Sequence, residues 1–154
     1  LSPIPGFMRW AGQAADTLNE TPLANDAAHL PAGIRLAKRI AEKDKLDATA
    51  EEFEQLRGVV AHYLVKVQRP DHLPIDPVAR FHLGNGASLD AIMPGADSSA
   101  KGLKQSASAM VSYLYNLDKV EDNHEAYANN QTVIHSNEVA GLLEPTRRLR
   151  KRAG

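Results

Sequence analysis

Residues 76–87, "DPVARFHLGNGA", read as one complete short helix with an imidazole in its last turn. Asp76 has the short acceptor side chain of an N-cap, and Pro77 suits the first helical position, where its missing N–H costs nothing. Gly84 is the residue past the end, and Gly84-Asn85-Gly86 then turns the chain. His82 is left where the helix exposes its outward-pointing carbonyls. Val78, one turn earlier, and Phe81 beside it direct the ring toward the apolar side. On residue pattern alone, a half-buried histidine satisfied by a backbone carbonyl is the stronger reading. The other reading is a histidine placed to move a proton. The negative end of a helix dipole favours an imidazolium by roughly 0.3 to 1 kcal/mol, which suits a general acid. Gly84 and Gly86 would also let a ligand approach the backbone closely.

Working outward, the chain is helical upstream and mixed downstream. The longest periodic stretch runs from 49 to 67, where Phe53, Leu56, Val60, Tyr63, Leu64 and Val67 recur at steps of three and four. Thr49 and Glu52 stand at capping-box spacing before it. Two earlier helical regions carry Phe7, Trp10, Ala11, Ala14 and Leu18 on one face, and "NDAAHLPAGIRLAKRIAEKD" with Pro31 at the first position of its main helix. Downstream, 87–93 reads as a strand, 99–109 as a helix and 110–117 as a second strand. In that second strand Val111, Tyr113 and Tyr115 alternate onto one face. A terminal helix is expected over 131–143, disturbed by Pro145. At the start, "LSPIPGF" places residues before two prolines, which forces extended backbone and gives a third strand near 1–5. The fold class is therefore α+β and helix-rich.

The composition narrows the function. There are 154 residues, 43% hydrophobic and 24% charged, with no cysteine. A thiol nucleophile, a disulfide framework and any zinc site with cysteine ligands are excluded. The six histidines show no metal-ligand spacing. No apolar run reaches the length of a membrane span, so no membrane is expected. The basic tail "RRLRKR" at 147–152 lacks companion basic patches and aromatic interleaving, so it reads as a solvated helix end and no nucleic-acid partner is expected. Glu51, Glu52 and Glu54 fit the first turns of a helix and are set aside as a site.

"LSPIPGF" at 1–7 and "PVARFHLGNGA" at 77–87, with weaker support from "ADSSAKGL" and "MVSYLY", together resemble signature stretches of malonyl-CoA decarboxylases. The resemblance implies the C-terminal part of a catalytic domain with a GCN5-related N-acetyltransferase-like fold. It implies conversion of malonyl-CoA to acetyl-CoA and carbon dioxide, with no cofactor beyond the coenzyme A of the substrate. It also implies a homo-oligomer for the full-length protein. By the same resemblance Ser2 and His82 are the catalytic pair: Ser2 orients the malonyl carboxylate and His82 donates a proton to the enolate. Asn85 and Tyr115 join them as substrate-binding candidates. The family's helical N-terminal domain and the segments expected to bind the coenzyme A phosphates have no counterpart here, so the chain reads as incomplete and liable to be inactive by itself. A C-terminus without a peroxisomal Ser-Lys-Leu signal suits a bacterial, cytoplasmic enzyme. The rivals are an acyl-CoA acyltransferase of the same fold and a non-catalytic helical interaction domain.

Overall fold

The computed structural model describes residues 1–20, 30–43 and 45–143. Their helices are α1 (Phe7–Glu20), α2 (Leu30–Lys43), α3 (Ala50–Lys66), α4 (Pro77–Gly84), α5 (Ala100–Ser106), α6 (Val120–Asn130) and α7 (Asn137–Leu142). Between them lie the strands β1 (Ser88–Met93) and β2 (Met110–Leu114). The helix-rich α+β expectation holds, with a small sheet.

Helix α3 is the spine. Its capping box is complete: the Glu52 N–H donates to Thr49 Oγ1 at 3.1 Å, and the Thr49 N–H donates to the Glu52 carboxylate at 3.0 Å. Leu56, Val59, Val60, Tyr63 and Leu64 are buried along it, each contributing about 1.5–3 kcal/mol by leaving water. Ile4, Phe7, Ile34, Leu36 and Ile40 close the same core from α2 and from the chain start.

At Gly33 the backbones of α2 and α3 nearly touch. A Cβ there would lie 2.1 Å from Val59 Cγ2 and 2.9 Å from the Gln55 carbonyl oxygen. Gly33→Ala sets two effects against each other. Helix propensity gains about 1 kcal/mol, while overpacking costs about 1–3 kcal/mol. Because one obstacle is backbone, no rotamer change relieves it, and the cost should win. The expected result is a lower urea midpoint with an unchanged m-value. A raised midpoint would mean that the two helices separate easily.

The strands pair antiparallel from Ser88 opposite Leu114 to Met93 opposite Met110, with Asp90 as an extra residue between Leu89 and Ala91. A short row flanks each edge. Ser2 and Val111 exchange both backbone hydrogen bonds, at 2.7 and 3.0 Å, and Leu89 bridges His135 in parallel.

Three expectations are corrected. The strand near 1–5 is a single bridge at Ser2, because Pro3 and Pro5 have no N–H to extend a ladder and Ile4 turns into the core. The second strand stops at Leu114 rather than 117. The helix expected over 131–143 is shorter and starts later: Gln131 takes left-handed backbone to end α6, β-branched Thr132, Val133 and Ile134 run extended beside β1, and Ser136 caps α7. Helix α6 itself was not foreseen. The basic tail at 147–152, Pro145 and the stretch 25–29 lie outside the described residues.

Candidate active site

Helix α4 starts as its sequence dictates but runs one residue longer: Gly84 is its last residue rather than the one past the end, Asn85 is the C-cap, and Gly86 takes the left-handed turn. Asp76 Oδ2 accepts from the Ala79 N–H at 3.0 Å, Pro77 begins the helix, and the Asn85 and Gly86 N–H groups reach back to the His82 and Leu83 carbonyls, each at 3.1 Å. Ala79 and Leu83 are buried, which leaves His82 half-buried at the end. From there its ring meets the Ser2 row across the chain. Ser2 Oγ lies 3.0 Å from His82 Nε2, although the two are 80 residues apart in sequence. Tyr115 Oη lies 2.6 Å from His82 Nδ1. Both ring nitrogens are thus engaged by hydroxyls.

The sheet does most of the placing. Ser2 is fixed on β2 by its paired hydrogen bonds to Val111, two residues before Tyr113 and four before Tyr115. Tyr113 stacks on the imidazole with centroids 4.4 Å apart and planes 19° from parallel. Phe81 packs edge-on to the ring at 5.1 Å and is largely exposed. The imidazole packs against both rings and cannot turn without losing a hydroxyl partner.

Burial holds the His82 imidazole below its ordinary value. This runs against the expectation of a helix-end imidazolium, because lost hydration opposes the pull of the helix dipole. Burial pushes the Tyr115 phenol up, so it keeps its proton.

Asn85 is exposed, and its amide N–H donates to the Phe81 carbonyl at 2.8 Å, so its contacts cap α4 rather than join the three side chains. Gly86 has φ of +88° and a Cβ there would lie 2.4 Å from the Val120 carbonyl oxygen, so the close approach it permits is from α6. Asn123 donates to the Gly86 carbonyl, and the His124 Nδ1–H donates to the Gly84 carbonyl at 2.7 Å. These two residues and Tyr113 were not singled out from sequence. For Tyr113 a signal existed, since alternation places it on the face of Tyr115. Among the described residues no group of three or more histidine, aspartate or glutamate side chains is placed to hold a metal ion. No helix there is long and apolar enough to cross a membrane.

A family model for the malonyl-CoA decarboxylase C-terminal domain matches residues 1–153. The chain belongs to the malonyl-CoA decarboxylase family. A crystal structure of the malonyl-CoA decarboxylase of Rhodopseudomonas palustris superposes with a TM-score of 0.77 at 34% identity, over 92% of this chain and 32% of that one. The Agrobacterium vitis malonyl-CoA decarboxylase gives 0.75 at 34% identity, over 93% and 34%. The rat mitochondrial malonyl-CoA decarboxylase is 29% identical over 160 residues, which are 93% of this chain and 32% of the rat protein. The chain spans about a third of the length of these relatives.

Proposed function

We propose that the protein decarboxylates malonyl-CoA to acetyl-CoA and carbon dioxide, with Ser2, His82 and Tyr115 at the reacting group. The observation that carries this reading is the Ser2–His82 hydrogen bond at 3.0 Å, which joins the two family motifs into one site. The family and its relatives' activity supply the substrate.

The chemistry follows from hydrogen-bond bookkeeping. A neutral imidazole has one N–H. If Tyr115, protonated, donates to Nδ1, the proton sits on Nε2 and donates to Ser2 Oγ. The Ser2 O–H is then free to donate to the malonyl carboxylate and hold it out of the thioester plane. As the C–C bond breaks, its electron pair passes to C2 and the thioester oxygen, and carbon dioxide leaves. His82 gives its Nε2 proton to C2 while Tyr115 passes its own proton to Nδ1 and takes one from water in the same step, so neither imidazolate nor phenolate builds up. Tyr115 is partly exposed to that water. Placing these donors in advance stabilises the enolate where charge develops.

A finer fold assignment belongs to the same reading: β1, β2 and the Ser2 row would be this chain's share of a GCN5-related N-acetyltransferase-like sheet. So do a cytoplasmic setting and a homo-oligomeric full-length enzyme. Asn85 would contribute through the turn it caps.

The test follows acetyl-CoA formation from malonyl-CoA alongside the imidazole NMR signals of His82. Acetyl-CoA formation without any acceptor is expected. Release of free coenzyme A only when an amine acceptor is added would instead mark an acyltransferase. Neither turnover nor a shift of the His82 signals on adding malonyl-CoA would leave an interaction domain and overturn the proposal.

The pH dependence is a second check. The neutral imidazole is the working form, and its proton affinity is lowered. Turnover should therefore stay level as pH falls through 6.5, the ordinary histidine value, and drop only below it. A rate that rises as pH falls through that range would show an imidazolium at work and exclude this tautomer.

A further inference from the structure

Asp76 is the one charged residue in the buried set of the described residues, with no exposed surface. A helix N-cap does not require this. Capping needs one short acceptor, and exposed Asp, Asn or Ser supplies it, whereas burying a carboxylate costs several kcal/mol. Its surroundings explain the burial. The carboxylate accepts from Ala79 N–H at 3.0 Å and from Tyr63 Oη–H at 3.2 Å, and a Cβ at Gly6 would lie 3.8 Å from its Oδ1. Three different pieces of the chain therefore meet at this carboxylate: the start of α4 and the middle of α3 as donors, and at Gly6 the segment that carries Ser2 as a neighbour.

We propose that Asp76 is a positioning residue, whose buried carboxylate fastens the Ser2 segment and α4 to α3 and thereby sets the Ser2–His82 hydrogen bond. This rests on the reading of Ser2 and His82 as the reacting pair. Gly6 follows Ser2 by four residues, and the prolines at 3 and 5 stiffen the backbone between them. A Cβ at Gly6 would lie 2.4 Å from Tyr63 Oη, so this segment lies directly on the tyrosine that Asp76 holds. On the other side, Asp76 precedes His82 by six residues of one short helix. Displacement at either arm moves one partner of a 3.0 Å contact. Burial also raises the carboxyl's proton affinity against the opposing pull of the N–H and O–H groups around it. The only other described charge on the adjoining turn, the Arg80 guanidinium, is committed to the Pro74 and Ile75 carbonyls.

Two substitutions separate positioning from capping. Asp76→Asn keeps one acceptor oxygen for the Ala79 N–H but turns an amide toward the remaining donors. Asp76→Ser still caps and reaches no farther. The primary readout is the nitrogen chemical shift of His82 Nε2, with Ser2→Ala defining the value without the serine partner. In both variants the signal should move toward the Ser2→Ala position, and Asn should move it less. Turnover should show kcat reduced about tenfold or more with KM within about twofold, the pattern of lost alignment. The proposal is overturned if both variants keep the wild-type Nε2 shift, or if both unfold, since Asp76 would then serve stability alone. The NMR result does not depend on activity. Shifted signals in a protein whose wild type does not turn over malonyl-CoA would sink the decarboxylase reading and leave Asp76 as the residue that positions the pair.

Discussion

Replacing His82 by alanine should lower kcat for acetyl-CoA formation by about 10²–10⁴-fold, the range associated with a positioned proton donor, and leave the fold intact. The side chain is half-buried and partly covered by Tyr113 and Phe81, so truncation removes little core. The α4 cap and the buried Ala79 and Leu83 do not involve it. Thermal unfolding followed by circular dichroism should therefore be close to wild type. Ser2→Ala should cost less, because a water can replace the hydroxyl in part. The double variant should be scarcely worse than His82→Ala, since a serine without its imidazole partner has lost what orients it. Multiplying effects would mean that the two act independently, and the 3.0 Å contact would lose its mechanistic meaning. More than a tenth of wild-type turnover in His82→Ala would remove the proton-donor role outright.

Much of this site was legible in the sequence because its parts are locally encoded. Thr49, Asp76 and Pro77 announce helix starts by side-chain chemistry, and each makes the expected cap or first-turn placement. The alternation in "MVSYLY" carries Tyr113 and Tyr115 to one face, which is where the imidazole lies. What failed to show has equally physical reasons. Helix α6 presents few apolar residues, and Lys119 at its start makes no side-chain cap, so neither periodicity nor capping marks it. Its tertiary hold comes instead from Asn123, His124 and Val120 meeting the turn after α4. The Ser2 row was taken for a strand because prolines do force extended backbone. They also withhold the donors that a strand needs. The lowered proton affinity of His82 is not legible at the helix end, because it comes from burial, and burial is set by tertiary packing such as the stacking of Tyr113 on the ring.

Phe7→Ala should produce the opposite pattern: a large loss of stability with near-normal chemistry in the molecules that remain folded. Phe7 is fully buried, lies edge-on to Tyr63 at 5.6 Å and packs against Trp10 at 6.1 Å. Truncating such a ring costs about 3–5 kcal/mol, from lost transfer energy and the cavity left behind. Against a domain stability of about 5–15 kcal/mol, that is enough to bring the chain near its unfolding threshold. The urea midpoint should fall steeply, and turnover per folded molecule should stay within a fewfold of wild type. The Tyr63 hydroxyl has its own anchor at Asp76, so the site is tied by polar bonds that survive loss of the ring. If turnover per folded molecule instead collapses with the midpoint, the Phe7–Tyr63 packing, and not the Asp76 bonds, holds Ser2 against His82.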